Sequence, residues 1–262
     1  RRFLASAGLA AVGGVALEAA YFGPRRLSVT RHALGSPGAF DPIRLAVITD
    51  LHLKGVDDLH ESLATSLRAA DPNCIVLVGD SIDSPEGLPL LSEFLDLLPA
   101  EPSRFATLGN WEHWSGVSVD DLRRTYAASS TRLLVNEGVE VETHAHVFGT
   151  DDSLAGSPDV AGLQVLEGET LLLSHCPEFR DTLGDAPVMP TAVISGHTHG
   201  GQVNVAGWAP IRPPGSGRYV AGWYSGDGPD LFVSRGIGTS VIPFRFGSSP
   251  ELAVIDWHPR RS

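Results

Sequence analysis

The stretch RLAVITDLH at residues 44–52 joins a short apolar run to an aspartate and a histidine. The run is too short for a helix and continuous enough for a strand that is buried on both faces. Similar runs recur downstream, each followed by polar residues that can carry chemistry. We therefore predict core strands at residues 44–49, 75–79, 105–108, 170–174 and 192–195.

Helical periodicity appears between the first three of these strands and again after the third. Apolar residues recur at helical spacing in three stretches, 56–70, 87–98 and 118–128. The remaining pattern favours strands, with hairpins at 133–148 and late strands at 230–234 and 252–257. Alternation of strand and helix predicts a layered α/β fold.

The composition indicates a folded protein rather than a fibrous or disulfide-stapled one. Of the 262 residues, 42% are hydrophobic and only two are cysteine. Lys and Arg number 19 against 31 Asp and Glu, which gives a formal charge of -12. Such a surface repels polyphosphate backbones, so we expect no nucleic-acid partner.

The first 40 residues differ from the rest of the chain. Arg1 and Arg2 precede the fifteen uncharged residues 3–17, an arrangement similar to a twin-arginine export signal. We expect residues 1–40 to form a signal or membrane-anchor segment with a linker, and residues 41–262 to form one domain. A cleaved signal, an uncleaved anchor and a buried amphipathic helix all remain open. We expect an exported, membrane-associated protein, with the cytoplasmic face of the inner membrane as the alternative.

Each predicted core strand is followed by oxygen or imidazole side chains. They are Asp50 and His52, Asp80 and Asp83, Asn110 with Glu112 and His113, His175, and His197 with His199. Because open α/β sheets bind ligands at the carboxyl ends of their strands, we expect these side chains to converge. Mixed carboxylate, amide and imidazole donors without thiolate favour Mn²⁺, with Fe or Zn²⁺ as alternatives. Two such ions can share a hydroxide that attacks a phosphoryl group.

The order of these motifs resembles the calcineurin-like metallophosphoesterases, with their D-x-H, G-D-x-x-D, G-N-H-[DE], lone H and G-H-x-H. The resemblance covers residues 44–202, and residues 234–246 look like the tail of a membrane-associated bacterial branch. It implies a four-layer α-β-β-α sandwich and a dinuclear centre. By that likeness one metal is held by Asp50, His52 and His199, the second by Asn110, His175 and His197, with Asp80 as the bridge.

One position departs from the family pattern. Trp111 stands where the family carries the histidine that contacts the phosphate and protonates the leaving oxygen. Tryptophan cannot shuttle a proton, so we interpret Trp111 as a substrate contact and His113 as a candidate general acid. Asp83 and Glu112 are expected to orient imidazoles rather than bind metal. Four tail residues are candidates to clamp a phosphate: Arg212, Arg218, Arg235 and Arg245.

Loss of the acid favours a leaving group that is stable as an anion. A phosphate leaving group has a second pKa near 6 and departs unaided, whereas an alkoxide needs a proton. The expected function is hydrolysis of a lipid-linked diphosphate such as UDP-2,3-diacylglucosamine, because the similar hydrolases of lipid A biosynthesis also lack this histidine. One alternative is a phosphodiesterase acting on phospholipid or glycerophosphodiester head groups. Another is a non-catalytic metal-binding module presented at a membrane.

Overall fold

The computed structural model describes residue 14 and residues 17–38, 41–186 and 188–260. The strands are β1 Ser28–Leu34, β2 Ile43–Ile48, β3 Cys74–Val78, β4 Ser103–Thr107, β5 Thr131–Leu133, β6 Glu137–Glu142, β7 Ala145–Gly149, β8 Glu169–Leu173, β9 Ala192–Ser195, β10 Gly222–Tyr224, β11 Asp230–Val233 and β12 Glu251–Trp257. The α-helices are α1 Asp58–Ala70, α2 Gly87–Leu97, α3 Asn110–Trp114 and α4 Val119–Ala128. Shorter helical turns occupy Glu18–Phe22, Gly23–Arg25, Ala161–Val165, Pro177–Asp185 and His199–Gly201.

The strands form two mixed sheets of six strands each. The first has the order β1-β12-β2-β3-β4-β5, and the second has the order β10-β11-β9-β8-β7-β6. Strands β2 to β5 are parallel, as are β7, β8, β9 and β11, so their carboxyl ends reach one edge of each sheet. Side chains from both sheets share one apolar core, which includes Val47, Val76, Val147 and Ile194. The five predicted core strands are confirmed to within two residues at either end.

Helices cover the outer face of the first sheet. Leu63 of α1, Phe94 of α2 and Leu122 of α4 pack with Ile48 and Leu77 of the sheet in a second apolar cluster. On the second sheet the outer layer consists of 3₁₀ turns, which contribute Leu163 and Leu183 to a third cluster. The predicted α/β sandwich with flanking helical layers is therefore confirmed.

The first sheet extends into the stretch that the sequence interpretation assigned to a linker. Strand β1 lies before residue 41 and pairs in parallel with β12, from Ser28 opposite Glu251 to Leu34 opposite Trp257. Exposed and partly buried residues alternate along β1 because one face of the strand is open to solvent. The strand therefore lacks the continuous apolar run from which the core strands were predicted.

The predicted anchor falls almost entirely outside the described residues, at positions 1–13 and 15–16. Within the ranges that the structure describes, no helix has both the length and the apolar character needed to cross a bilayer.

Candidate metal centre

Strand ends from both sheets bring the predicted ligands to one buried edge. Asp50 and His52 follow β2, and Asp80 follows β3. The others follow β4, β8 and β9: Asn110, His175, His197 and His199. All seven side chains are buried, with at most 5% of any residue exposed. The convergence predicted from chain order is therefore present in the fold.

Six of these seven side chains, all but Asn110, form two groups, and within each group the ligand atoms lie within 4.8 Å of one another. The groups are Asp50, His52 and His199, and Asp80, His175 and His197. In the first group, His199 Nε2 lies 3.1 Å from His52 Nε2 and 3.5 Å from Asp50 Oδ1. In the second, His175 Nε2 lies 3.0 Å from Asp80 Oδ2 and 3.2 Å from His197 Nδ1. Asp80 Oδ2 is also 3.6 Å from His52 Nε2, so one oxygen faces both groups.

The donor geometry fits divalent cations. Ligands about 2.0–2.1 Å from an ion, at right or tetrahedral angles, lie about 2.8–3.4 Å from each other. The distances of 3.0–3.6 Å between the ligand atoms are close to this spacing. Two buried oxygens, Asp50 Oδ2 and Asn110 Oδ1, have no hydrogen-bond partner among the residues that the structure describes. Buried polar atoms are rarely left without a partner, so these two fit metal ligation.

The backbone at the ligands adopts a conformation that L-residues rarely take. Asp50, His52, Asp80, His197 and His199 all have φ between 44° and 71°. Residues held in this left-handed region cluster at functional sites, where the surrounding structure overrides the local cost.

Gly79 precedes Asp80 and also has a positive φ, of 75°. A Cβ at this position would collide with the ring of His175 and would lie 2.8 Å from Gly109 Cα. The close approach of three strand ends therefore requires glycine here.

Electrostatic contacts within the centre shift several pKa values. Burial opposes ionisation of Asp80, but the imidazoles of His175 and His52 outweigh it and hold the pKa of Asp80 at about 2. Burial also disfavours the charged form of His175, but the Asp80 carboxylate raises the pKa of His175 well above its usual value. Burial, followed by the nearby His52 and Arg245, lowers the pKa of His199 well below its usual value. Metal binding would displace protons from the imidazoles that still carry them.

Two carboxylates support the ligands, in different ways. Asp83 Oδ1 lies 2.5 Å from His52 Nδ1, a contact that can orient that ring. Glu112 differs from the expectation, because its carboxylate accepts hydrogen bonds from the backbone N–H groups of Gly109, Asp80 and Ser81 at 2.8, 2.9 and 2.6 Å. Burial and the Asp80 charge raise the pKa of Glu112. Glu112 therefore ties together the loops that follow β3 and β4.

Arg245 has a structural role that its sequence position did not indicate. The Arg245 side chain is fully buried. Its guanidinium donates to the carbonyls of Gly238, Arg235 and Ser248 at 2.9, 2.8 and 3.1 Å. Nη2 also lies 3.2 Å from His199 Nδ1. The interpretation of Arg245 as a phosphate clamp is therefore corrected, because backbone carbonyls already occupy its donors.

Trp111 and His113 lie on α3 at the margin of the centre. The backbone N–H of Trp111 donates to Asp80 Oδ1 at 2.9 Å. The centroid of the Trp111 ring lies 5.9 Å from that of the His52 ring. His113 Nε2 contacts Asp151 Oδ1 at 2.6 Å, a partner that the sequence did not indicate. Asp151 lies just after β7 in the second sheet, so this contact spans the two sheets.

A groove of about 530 Å³ opens beside the first ligand group. Its wall includes Leu51, His52 and Ile237 near the centre, and Ala20, Pro24 and Pro243 farther out. Arg25 and Lys54 contribute positive charge to the wall, and Asp57 contributes one carboxylate. The groove therefore suits a substrate with an anionic group and an apolar portion.

The fold and the paired ligand groups define a metal-dependent phosphoester hydrolase. Residues 43–201 match the family model described as calcineurin-like phosphoesterase. The chain is 31% identical to the metallophosphoesterase YkuE of Bacillus subtilis (strain 168), over 96% of this chain and 92% of that protein. It is 26% identical to the phosphodiesterase YaeI of Escherichia coli (strain K12), over 82% of each. The chain therefore belongs to the calcineurin-like phosphoesterase family.

A solved structure shares this fold at low sequence identity. The protein TT1561 of Thermus thermophilus aligns with a TM-score of 0.52 and 12% identity, over 75% of this chain and 90% of that one. The complete donor set and the family membership favour an enzyme over the non-catalytic module considered from the sequence.

Proposed function

We propose that this chain hydrolyses a phosphodiester or diphosphate bond with two divalent metal ions. Asp50, His52 and His199 would hold one ion, Asn110, His175 and His197 would hold the other, and Asp80 would contact both. The observation that carries this proposal is the position of Asp80 Oδ2, 3.6 Å from His52 Nε2 and 3.0 Å from His175 Nε2. Mn²⁺ is our first choice for this donor set, ahead of Fe and Zn²⁺.

Two ions, when bound, supply a nucleophile from water and stabilise charge on the phosphoryl oxygens. The chain itself contributes positioning. Asp83 holds the His52 ring through Nδ1, and the carbonyl of Val78, 2.9 Å from His175 Nδ1, holds the second ring. Both contacts leave Nε2 as the ligand atom.

Replacing Asp80 by asparagine tests the dinuclear centre. Wild-type protein loaded with Mn²⁺ should hydrolyse bis-p-nitrophenyl phosphate and carry two metal equivalents per chain. Asp80→Asn should lose activity and metal while keeping its circular dichroism spectrum, and the exposed Asp227→Asn should behave like wild type. Active wild-type protein with at most one metal per chain would contradict the proposal.

The substrate that we favour is a lipid-linked diphosphate such as UDP-2,3-diacylglucosamine. Trp111 in place of histidine removes the usual proton donor, and a phosphate leaving group departs without one. The groove supports this choice, since its apolar wall suits an acyl chain and Arg25 and Lys54 suit a diphosphate.

A second candidate function is hydrolysis of alkyl phosphodiesters, such as phospholipid or glycerophosphodiester head groups. The contact between His113 and Asp151 favours it, because the carboxylate accepts from Nε2–H and so leaves Nδ1 as the atom through which the ring would donate a proton to a leaving group. The relative YaeI is named as a phosphodiesterase, which also fits.

Leaving-group dependence distinguishes the two candidates. If no acid operates, alkyl diesters should lag p-nitrophenyl diesters and diphosphates by the about 10²–10⁴-fold that a general acid supplies. Trp111→His should then raise alkyl diester hydrolysis selectively, and His113→Ala should change little. Similar wild-type rates on alkyl and nitrophenyl esters, with alkyl hydrolysis lost in His113→Ala, would support the second candidate instead.

The N-terminal segment is the basis of a proposal about location. Residues 1–17 resemble a twin-arginine signal or an anchor, so we expect the protein to be exported and associated with the membrane. Fractionation of cells expressing the full chain tests this. Recovery of the protein in the soluble fraction with residues 1–17 intact would contradict membrane anchoring.

A further inference from the structure

Large apolar side chains are exposed on three neighbouring segments, the N-terminal turn, residues 203–211 and residues 239–246, of which the first and the last also line the groove. Trp208, Ile211 and Val241 are 68%, 71% and 82% exposed. With Tyr21, Phe22 and Val205, they form what we call the apolar collar. Isolated exposed apolar residues are ordinary, but a group of this size on adjoining loops indicates an interaction site.

Hydrogen bonds join the three loops into one surface. The backbone N–H of Arg245 donates to the Ala19 carbonyl at 2.9 Å, and this bond fixes the N-terminal turn against the loop before β12. Gln202 Nε2 donates to the Ile242 carbonyl at 3.1 Å, and the Asn204 N–H donates to the Phe246 carbonyl at 2.8 Å. The groove runs between the N-terminal turn and the loop before β12, because both contribute residues to its wall. The collar therefore adjoins the groove through these two loops, and the loop of Trp208 extends the same surface.

Positive charge accompanies the collar although the chain as a whole is acidic. Arg25 and Lys54 are exposed on the groove wall, where they outnumber the single carboxylate of Asp57, and Arg212 is exposed next to Ile211. The formal charge of the whole chain is -12, so any attraction to an anionic surface must come from these local cations. Aromatic and aliphatic side chains flanked by Arg and Lys are typical of surfaces that bind anionic bilayers.

The sequence before the collar points to the same partner. Residues 3–16 contain no charge and lead directly into the turn that carries Tyr21 and Phe22. We propose that the apolar collar inserts into the surface of a bilayer that contains anionic lipids, so that the groove opens at the level of the lipid head groups. Delivery of a lipid-linked substrate by this route rests on the proposed function, but binding to the bilayer does not.

Vesicle cosedimentation of the full chain tests the collar. We compare vesicles of phosphatidylcholine with vesicles of equal parts phosphatidylcholine and phosphatidylglycerol. The proteins are wild type and the collar variant, which combines Trp208→Ser, Ile211→Ser and Val241→Ser. The matched control replaces three exposed apolar residues elsewhere by serine, Leu154, Val165 and Met189. Wild type and control should bind the anionic vesicles more tightly than the neutral ones, and added salt should weaken this preference.

The collar variant should bind at least about tenfold more weakly than the control, because its inserted side chains are lost. Equal binding by the two variants would overturn the proposal and assign any attachment to residues 1–17. Absence of wild-type binding would also overturn it. The proposal would also be overturned if light scattering found wild type to be a dimer and the collar variant to be a monomer. None of these assays requires catalysis, so a failure here is separate from a failure of the proposed function.

Trp208 supplies a second measurement that does not depend on the stability of the triple variant. Vesicles with brominated acyl chains should quench the fluorescence of bound wild type, and Trp208→Phe should bind equally while losing most of that quenching. Unchanged quenching in Trp208→Phe would show that this residue lies outside the bilayer and would overturn the proposal.

Discussion

Replacement of Glu112 by glutamine tests how the centre is held together. Glu112 is 1% exposed, and its two carboxylate oxygens accept three backbone N–H groups from two loops. Oε2 accepts from Gly109 and Asp80, and Oε1 accepts from Ser81. Glutamine has nearly the same shape but only one acceptor oxygen. At least one of these N–H groups must then face an amide NH₂ group.

The cost follows from these contacts. A buried N–H without an acceptor costs about 1–3 kcal/mol in the free energy of unfolding. The remaining hydrogen bonds lose their charge assistance, at about 1 kcal/mol each. Relief of repulsion from Asp80, which contributes to the raised pKa of Glu112, offsets part of this loss. We expect a net destabilisation of about 2–4 kcal/mol.

Denaturant unfolding of the metal-depleted proteins at neutral pH measures this change. The control is Glu93→Gln, an exposed position on α2 that should stay within about 0.5 kcal/mol of wild type. Glu112→Gln should also weaken metal binding, because the loop that carries Asp80 loses its support. A Glu112→Gln protein as stable as the control would refute the assignment of Glu112 as the tie between the two loops.

Two glycine substitutions extend this reasoning. Gly79→Ala should displace the ring of His175 and lower metal content to at most one equivalent by elemental analysis, whereas Gly55→Ala, which meets no atom within 4 Å, should retain two. Gly23→Ala would place its Cβ against a backbone carbonyl of the loop before β12 and should detach the N-terminal turn. Trypsin should then cleave that turn at least about tenfold faster than in wild type or in Gly184→Ala, which has open space. Unchanged cleavage would mean that the turn is not packed there.

The core strands were predictable because burial leaves a local signature. Strands β2, β3, β8 and β9 are continuous apolar runs covered on both faces, and each ends where polar residues begin. Edge strands carry no such signature. Strand β5 has only three residues, and β1 interleaves exposed with partly buried residues and so has no continuous apolar run. Their pairing depends on neighbours that are distant in sequence.

The same distinction applies to the candidate site. The two ligand groups follow from chain order, because parallel strands carry their terminal residues to a common edge. The contacts of Arg245 with Gly238 and of His113 with Asp151 join loops from different parts of the chain. No local pattern specifies such contacts, so sequence reasoning identified the groups that would bind metal but not all of those that support them.

The supporting contacts explain why a strained centre persists. Left-handed backbone costs roughly 1–2 kcal/mol per non-glycine residue, and five of the seven predicted ligands adopt it. Asp50 Oδ1 accepts the N–H of His197 at 2.8 Å, Glu112 fixes the loop of Asp80, and Arg245 fixes the loops around His199. Each tie joins segments that the strain would otherwise separate. Ions that bind only the folded protein would add to its stability by mass action, so metal removal should loosen these strand-end loops before it unfolds either sheet.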